Sequence, residues 1–484
     1  MFTGGCVKMN NLNNIEPKDV FKWFYEINQY PRGSGNEKEI SDFLVKFAKD
    51  RGLEVYQDEI LNVIIKKPGT PGFEKSETVI LQGHMDMVCV KTDDSNHNFE
   101  TDPIEMIVEG DIIRANKTTL GGDDGIAVAF GLAILDSKEI PHPPIELLIT
   151  TNEETGMDGA MALTAEHLSG TRLINLDTEE EGSFLVSCSG GSNIDSAFKI
   201  EKEKTTLPAY EISVSGLKGG HSGVEIYLQR ANAIKTAARV LNAVKDDIVL
   251  ASITGGIKHN AIPSTAKAVF ATEKFSQIEE KLKSLIKDIK EEYRVEEPDF
   301  KIEIKKTEVK ETYTKNLSNR IIDFLMILPD GVQYISKDIE GLVQTSLNNA
   351  IIEEKDGKLL LITSVRSASL SSLREILNKI KALAGLVDAE TREYAAYPAW
   401  QYEPDSKLRD IAVKTFEECY GKKPKIDSIH AGLECGLLKG ILPNTDMISF
   451  GPNIKNAHSP AEYMSISSVQ RVWECTKKLL ENLK

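Results

Sequence analysis

The chain has 484 residues, and 58 basic against 74 acidic side chains leave a formal charge of −16 with histidine neutral. Hydrophobic residues at 41% are enough to build a core, which excludes a wholly disordered chain, and the length exceeds one ordinary domain, so two are expected. An acidic balance of this size excludes a protein built to hold nucleic acid or an anionic membrane by long-range attraction.

The opening MFTGGCVKMN has neither a basic n-region nor an apolar h-region. It reads as a loose tail before Met9, not a signal peptide, and Cys6 lacks the apolar stretch of a lipid-attachment signal. Nowhere does an apolar run reach the length of a membrane span. The six cysteines (Cys6, Cys89, Cys188, Cys419, Cys435, Cys475) show no CxxC and no disulfide-framework spacing. That is the pattern of reduced thiols in a cytoplasmic protein.

In chain order, Glu16-Pro17 opens an amphipathic helix (DVFKWFYEINQY) that stops before Pro31, and a second helix (EKEISDFLVKFAKDRG) ends at Gly52. The apolar runs LEVY, NVIIKK, TVILQGH, IELLITT and TRLINLD follow as strands, and GGDDGIAVAFGLAIL reads as a glycine turn opening a helix. Strands alternating with helices predict an α/β domain with a mostly parallel sheet flanked by helices. After about Ser189 the pattern changes to alternating strands (AYEISVSG, IVLASITGG, TAKAVFATEKF) and charged helices. A similar strand–strand–helix pattern recurs through LLLITSVRS and SLSSLREILNKIKALAGL, an α+β insert with two related halves. The α/β character returns near Tyr397 and ends in a helix with Ser467 and Gln470 at capping-box spacing. The expectation is a split α/β domain, 1–188 with 398–484, interrupted by an α+β domain, 189–397.

In an open α/β sheet, functional groups gather beyond the carboxyl ends of strands. His84 and Asp86 follow TVILQG, Glu153 and Glu154 follow IELLITT, Asp177 follows RLINL, and His458 follows TDMISFG after a short loop. Asp123 and Asp124 stand in the turn before a helix. Each has a plain alternative: an N-cap for Asp123-Asp124, solvated charge for the two glutamates, a loop histidine for His458. Five such positions in one domain point instead to one site. Imidazole and carboxylate ligands without a thiolate cluster suit zinc, manganese or cobalt in a hydrolytic centre. Two histidines and three or four carboxylates suffice for two ions sharing a carboxylate.

The stretches QGHMDMV, TLGGDDGIA, TTNEETGMDGA, INLDTEEEG and NAHSPAE, in this order, resemble the di-zinc aminoacylase, carboxypeptidase and dipeptidase superfamily. GLKGGHSGVEI, KHNAIPSTA and HAGLECGLL narrow the resemblance to its aminoacyl-histidine (Xaa-His) dipeptidase branch, also called peptidase D. The resemblance covers the chain from about Asn11 to its end. It implies that His84, Asp123 and Asp177 hold one divalent ion, zinc foremost with manganese or cobalt as alternatives. Asp123, Glu154 and His458 would hold the other. It further implies that Asp86 orients His84, that Glu153 is the general base, and that the Asp123-Asp124 peptide is cis. The usual DDK of the superfamily is DDG here, at Asp123-Asp124-Gly125, which removes no ligand.

His221 in GGHSG is the expected oxyanion donor, from its own or a partner subunit. Arg366 in SVRS is the stop for a substrate carboxylate, with Asn260 at the same end and Gly432 lining the pocket; His430 and Glu434 have no assigned role. The implied activity is a cytoplasmic metallopeptidase of the cytosol non-specific or Xaa-His dipeptidase type, in which 1–188 with 398–484 form the catalytic metal-binding domain and 189–397 a lid through which a homodimer forms. The alternatives are another hydrolase of the superfamily (a deacylase, tripeptidase or carboxypeptidase) and a non-catalytic binding module. GGHSGV lacks the last glycine of a nucleophile elbow, and GLKGGHSG lacks the GK[ST] of a P-loop.

Overall fold

The computed structural model describes residues 7, 8, 12 and 15–484. The chain divides into two compact units. One comprises the chain up to Ser187 with Tyr402–Ser428 and Leu433–Lys484; the other comprises Cys188–Gln401 with Ile429–Gly432.

The first unit is built on an eight-stranded mixed sheet. Its order is Glu54–Gln57, Val63–Lys67, Ile145–Thr150, Val79–His84, Arg172–Asn175, Asp446–Ser449, Ser183–Cys188, Lys425–Ile429. The four central strands are mutually parallel, and the pairs on either side of them are antiparallel. The parallel strands are continuous apolar runs because both faces are covered: every residue of Val79–His84 and of Ile145–Thr150 is buried. Burying each Val, Ile or Leu there contributes roughly 1.5–3 kcal/mol. The helix Gly122–Asp136 leaves helical backbone at Asp123 and Asp124; from Gly125 to Leu135 it is apolar and buried, and the helix packs on Val79–His84. Its Phe130 meets Trp473 of the C-terminal helix Ile466–Asn482, with ring centroids 5.1 Å apart.

The second unit is a nine-stranded antiparallel sheet with helices. One half runs Lys301–Thr307, Ala209–Ser215, Ala266–Ala271, Val249–Gly255. The other runs Val343–Lys355, Lys358–Ser367, Gly190–Lys199, Glu390–Tyr397, with Gly331–Ile335 beside Val343–Lys355. The halves join through a single register pair, Gly255 with Ile352.

Two local expectations are corrected. The chain before Met9 is not wholly loose: Val7–Lys8 pairs antiparallel with Met106–Glu109, while Cys6 lies outside the described residues. That pairing begins a five-stranded sheet whose strands are too short to show a period. The last helix is capped by Ser465, which accepts from the Ser468 N–H. Ser467 bonds Asp111 and Gln470 bonds the Glu16 carbonyl, so no capping box forms between them.

Candidate metal centre

The parallel register brings four strand ends to one edge. His84 lies opposite Thr150, Gln82 opposite Asn175, and Asn175 opposite Ser449. Acids and imidazoles leave that edge together. His84 is the last residue of its strand, and Asp86 follows. Asn152, at φ 54°, turns the chain into Glu153 and Glu154. Asp177 follows Arg172–Asn175, and His458 sits at φ 62° beyond Asp446–Ser449. Left-handed backbone at non-glycine residues is retained where surroundings over-determine it, and here it precedes the two glutamates and carries His458.

Asp123 stands between the two imidazoles. Its Oδ1 lies 3.2 Å from His84 Nε2 and its Oδ2 3.1 Å from His458 Nε2. Asp177 Oδ1 is 3.7 Å from His84 Nε2, and Glu154 Oε2 is 2.9 Å from His458 Nε2. The Asp123-Asp124 peptide is cis. Ligand atoms of His84, Asp123 and Glu154 lie within 4.8 Å of one another, as do those of His84, Asp124 and Asp177. Asp124 is committed elsewhere: its Oδ2 accepts the His84 backbone N–H at 3.3 Å. Asp123 is therefore the better donor to an ion.

Asp86 faces the other side of His84, with Oδ1 3.3 Å from Nδ1. It also accepts Ser34 Oγ at 2.7 Å and the Glu153 and Glu154 N–H groups at 3.0 and 3.3 Å. One buried carboxylate thus ties the His84 strand end to the turn carrying Glu153.

The electrostatics are those of crowded acids. Burial, then the neighbouring Asp124, pushes the Asp177 carboxyl well above its usual range. Burial likewise lifts Glu153 to about 8, with Glu434 and Glu154 adding to it. Hydrogen bonds to Asp123 and Glu154 raise His458 to about 11. Burial opposes ionisation of Asp123, but His458 and His84 outweigh it and hold that carboxyl low. Such a cluster is costly without compensating positive charge. Buried Glu154 Oε1 has no hydrogen-bond partner, and the donor set is imidazole and carboxylate throughout. These residues fit divalent cations, with neutral imidazoles as ligands.

Sequence reasoning missed most of the scaffold, naming only Glu434 and giving it no role. Buried Arg32 donates to the Gly121, Met85 and Asp86 carbonyls. Glu462 accepts from the N–H groups of Leu120, Gly121 and Gly122. Glu37 holds the Asn152 N–H. Glu434 accepts from Gln82 and Thr150, beginning a buried chain through Asn175 and Ser449 to Thr178. These partners are mostly backbone groups or remote polar residues, which carry no sequence pattern.

The second unit gathers its own cluster. Arg366 Nη1 donates to the Tyr397 hydroxyl at 2.7 Å, while its buried Nε has no partner. His430 Nε2 lies 2.7 Å from Ser346 Oγ. Burial, then the charge of Arg366, pushes His430 down to about 3 and lowers His221. His221 Nδ1 accepts the N–H groups of Gly223 and Val224, each at 3.1 Å. Nδ1 is then the unprotonated nitrogen, so Nε2 carries the hydrogen and is the donor. The Asn260 carbonyl accepts the Ser222 N–H at 2.9 Å, beside the His221–Ala261 bridge. Gly432 is half-buried, two residues beyond His430.

Comparison with known proteins gives the family. The profile described as peptidase family M20/M25/M40 matches residues 80–482. The cytosol non-specific dipeptidase of Escherichia coli (strain K12) is 34% identical over 484 residues, covering 98% of this chain and 99% of that protein. The crystal structure of aminoacylhistidine dipeptidase from Vibrio alginolyticus superposes with a TM-score of 0.92 at 37% identity, covering 97% of each chain. An aminopeptidase, PepT, from Bacillus cereus shares the fold at a TM-score of 0.57 and 16% identity, over 97% of this chain and 99% of its own. The match along most of the chain, with acids and imidazoles converging where its central strands end, makes this protein a member of peptidase family M20/M25/M40.

Proposed function

We propose that this protein is a cytoplasmic dipeptidase that hydrolyses Xaa-His and related dipeptides with two divalent cations, zinc foremost. The observation that carries the reading is Asp123, whose two carboxylate oxygens face two different imidazoles, 3.2 and 3.1 Å away. A carboxylate so placed is suited to bridge two ions. We assign His84, Asp123 and Asp177 to one and Asp123, Glu154 and His458 to the other. Bound there, the ions would polarise the scissile carbonyl and bring the pKa of water towards neutrality.

The chain's own residues supply the rest. Glu153 accepts the proton of the attacking water and delivers it to the leaving amine nitrogen. Its backbone N–H is held by Asp86, so base and His84 share one anchor. His221 offers Nε2–H to the carbonyl oxygen as charge develops there. Arg366 pairs with the substrate's terminal carboxylate, with Asn260 and Gly432 near that end. The second unit acts as a lid, and we assign it the interface of a homodimer. Among the described residues no helix is long and apolar enough to cross a membrane.

The test is a substrate panel on the zinc-loaded protein: Xaa-His dipeptides, other dipeptides, tripeptides and N-acyl amino acids. Cleavage confined to dipeptides is expected. Preference for tripeptides or acyl amino acids would assign another activity of the family, and no cleavage at all would favour a binding module.

A further inference from the structure

The acid that sequence reading passed over in the HSPAE stretch does something its surroundings define closely. Glu462 is 2% exposed. Its Oε2 accepts the N–H groups of Leu120 at 2.6 Å and Gly121 at 3.1 Å; its Oε1 accepts those of Gly122 at 2.8 Å and Asp123 at 3.4 Å. One carboxylate therefore closes on four successive backbone donors, ending at the residue that faces both imidazoles. The same turn is held from its carbonyl side by Arg32, also 2% exposed. Arg32 joins the Gly121 carbonyl at 2.5 Å to the Met85 carbonyl at 3.0 Å, one residue beyond His84.

We infer that Glu462 is a positioning residue for the metal centre, fixing the Leu120–Asp123 turn so that the Asp123 carboxylate stands between His84 and His458. The inference rests on the metal centre proposed above. Its physical basis is preorganisation. His458 and Glu462 belong to one short loop, so the stretch that supplies a ligand also locks the facing ligand in place. Charge-assisted bonds to a buried carboxylate are about twice as strong as neutral ones. Released from them, Asp123 gains freedom that ion binding must then remove. Partners of this kind are worth about 10- to 100-fold in metal affinity.

A comparison within the same unit separates positioning from plain stability. Glu146 is also 2% exposed and caps a backbone turn, accepting the Ser169 and Gly170 N–H groups at 2.9 and 3.0 Å. Its turn carries no ligand. The experiment titrates zinc calorimetrically into metal-stripped full-length protein: wild type, Glu462→Gln, Glu146→Gln and Gly122→Ala. A Cβ on Gly122 would meet Glu462 Oε1 at 3.2 Å, crowding the carboxylate without removing it. Expected is a loss of about 10- to 100-fold in affinity for Glu462→Gln, a smaller loss for Gly122→Ala, and wild-type affinity for Glu146→Gln. Wild-type affinity in Glu462→Gln would overturn the inference, and so would equal losses in Glu462→Gln and Glu146→Gln. Should Glu462→Gln fail to fold, Gly122→Ala decides: unchanged affinity overturns the inference. Failure of wild type to bind zinc would instead remove the metal centre itself.

Discussion

Asp123 and His458 meet at 3.1 Å although 335 positions separate them. The contact closes a ring of side chains drawn from five stretches of chain. It also sets an asymmetry: the His458 side chain is 54% exposed and that of Asp123 only 10%. A ligand at the rim is the one to remove first. His458→Ala is expected to lose the ion on the Glu154 side while keeping the other, so bound zinc falls from two equivalents to one. Elemental analysis of the dialysed protein reads this directly.

Glu153 is assigned to proton transfer and not to ion binding. Glu153→Gln should therefore retain both ions and the wild-type thermal transition. Its turnover should fall by about 10²–10⁴-fold, the usual contribution of a general base. Loss of metal in that variant would move Glu153 into the ligand set.

His221 owes its donor role to the backbone. Two N–H groups hold Nδ1, and Gly223 permits this geometry because a Cβ there would meet the His430 carbonyl oxygen at 2.5 Å and His221 Cε1 at 3.0 Å. His221→Ala should lower kcat by about 10²–10³-fold, the scale of a lost oxyanion donor, without changing zinc affinity. Gly223→Ala should move kcat in the same direction. Measurement of kcat, KM and bound metal together distinguishes this from damage to the ion site.

Arg366 is assigned to the substrate carboxylate. Arg366→Lys keeps the charge but loses the planar fork, so kcat/KM on dipeptides should fall by about 10- to 100-fold, the scale of a lost charge-assisted bond. The effect should be much smaller on a dipeptide amide, which has no carboxylate to lose. Equal losses on acid and amide would contradict the assignment.

His430 gives the second unit a pH dependence. Burial, then Arg366, holds its folded pKa at about 3, against roughly 6.5 in an unfolded chain. Protons therefore bind the unfolded state first. Stability is full above about pH 6.5 and falls as pH drops towards 3, by about 2 kcal/mol at pH 5. In metal-free protein, His430→Gln should flatten that decline in urea-unfolding curves between pH 7 and 5. An unaltered slope would show that His430 takes up a proton in the folded state.

The α/β character was legible because the central strands are unbroken apolar runs, each closing on a residue type that hydrophobic burial alone does not select. His84, Asp177 and the Glu153-Glu154 pair stand out for that reason. Arg32 and Glu462 did not, because their partners are peptide groups, identical at every position. The same holds for the lock on His221, made by the N–H groups of its own loop. Strands such as Ile112–Ala115 are too short to show a period, and the last helix starts at a serine two positions before the expected one. Polar contacts with backbone are thus what the sequence conceals, and here they surround the candidate site.

The most direct measurement is hydrolysis of β-alanyl-histidine by metal-stripped full-length protein during stepwise addition of zinc, with bound metal determined at each step. Activity absent without metal and rising to a plateau as two ions bind per chain is the predicted result. Undiminished hydrolysis by the metal-free protein, or a plateau reached with no ion bound, would contradict the account.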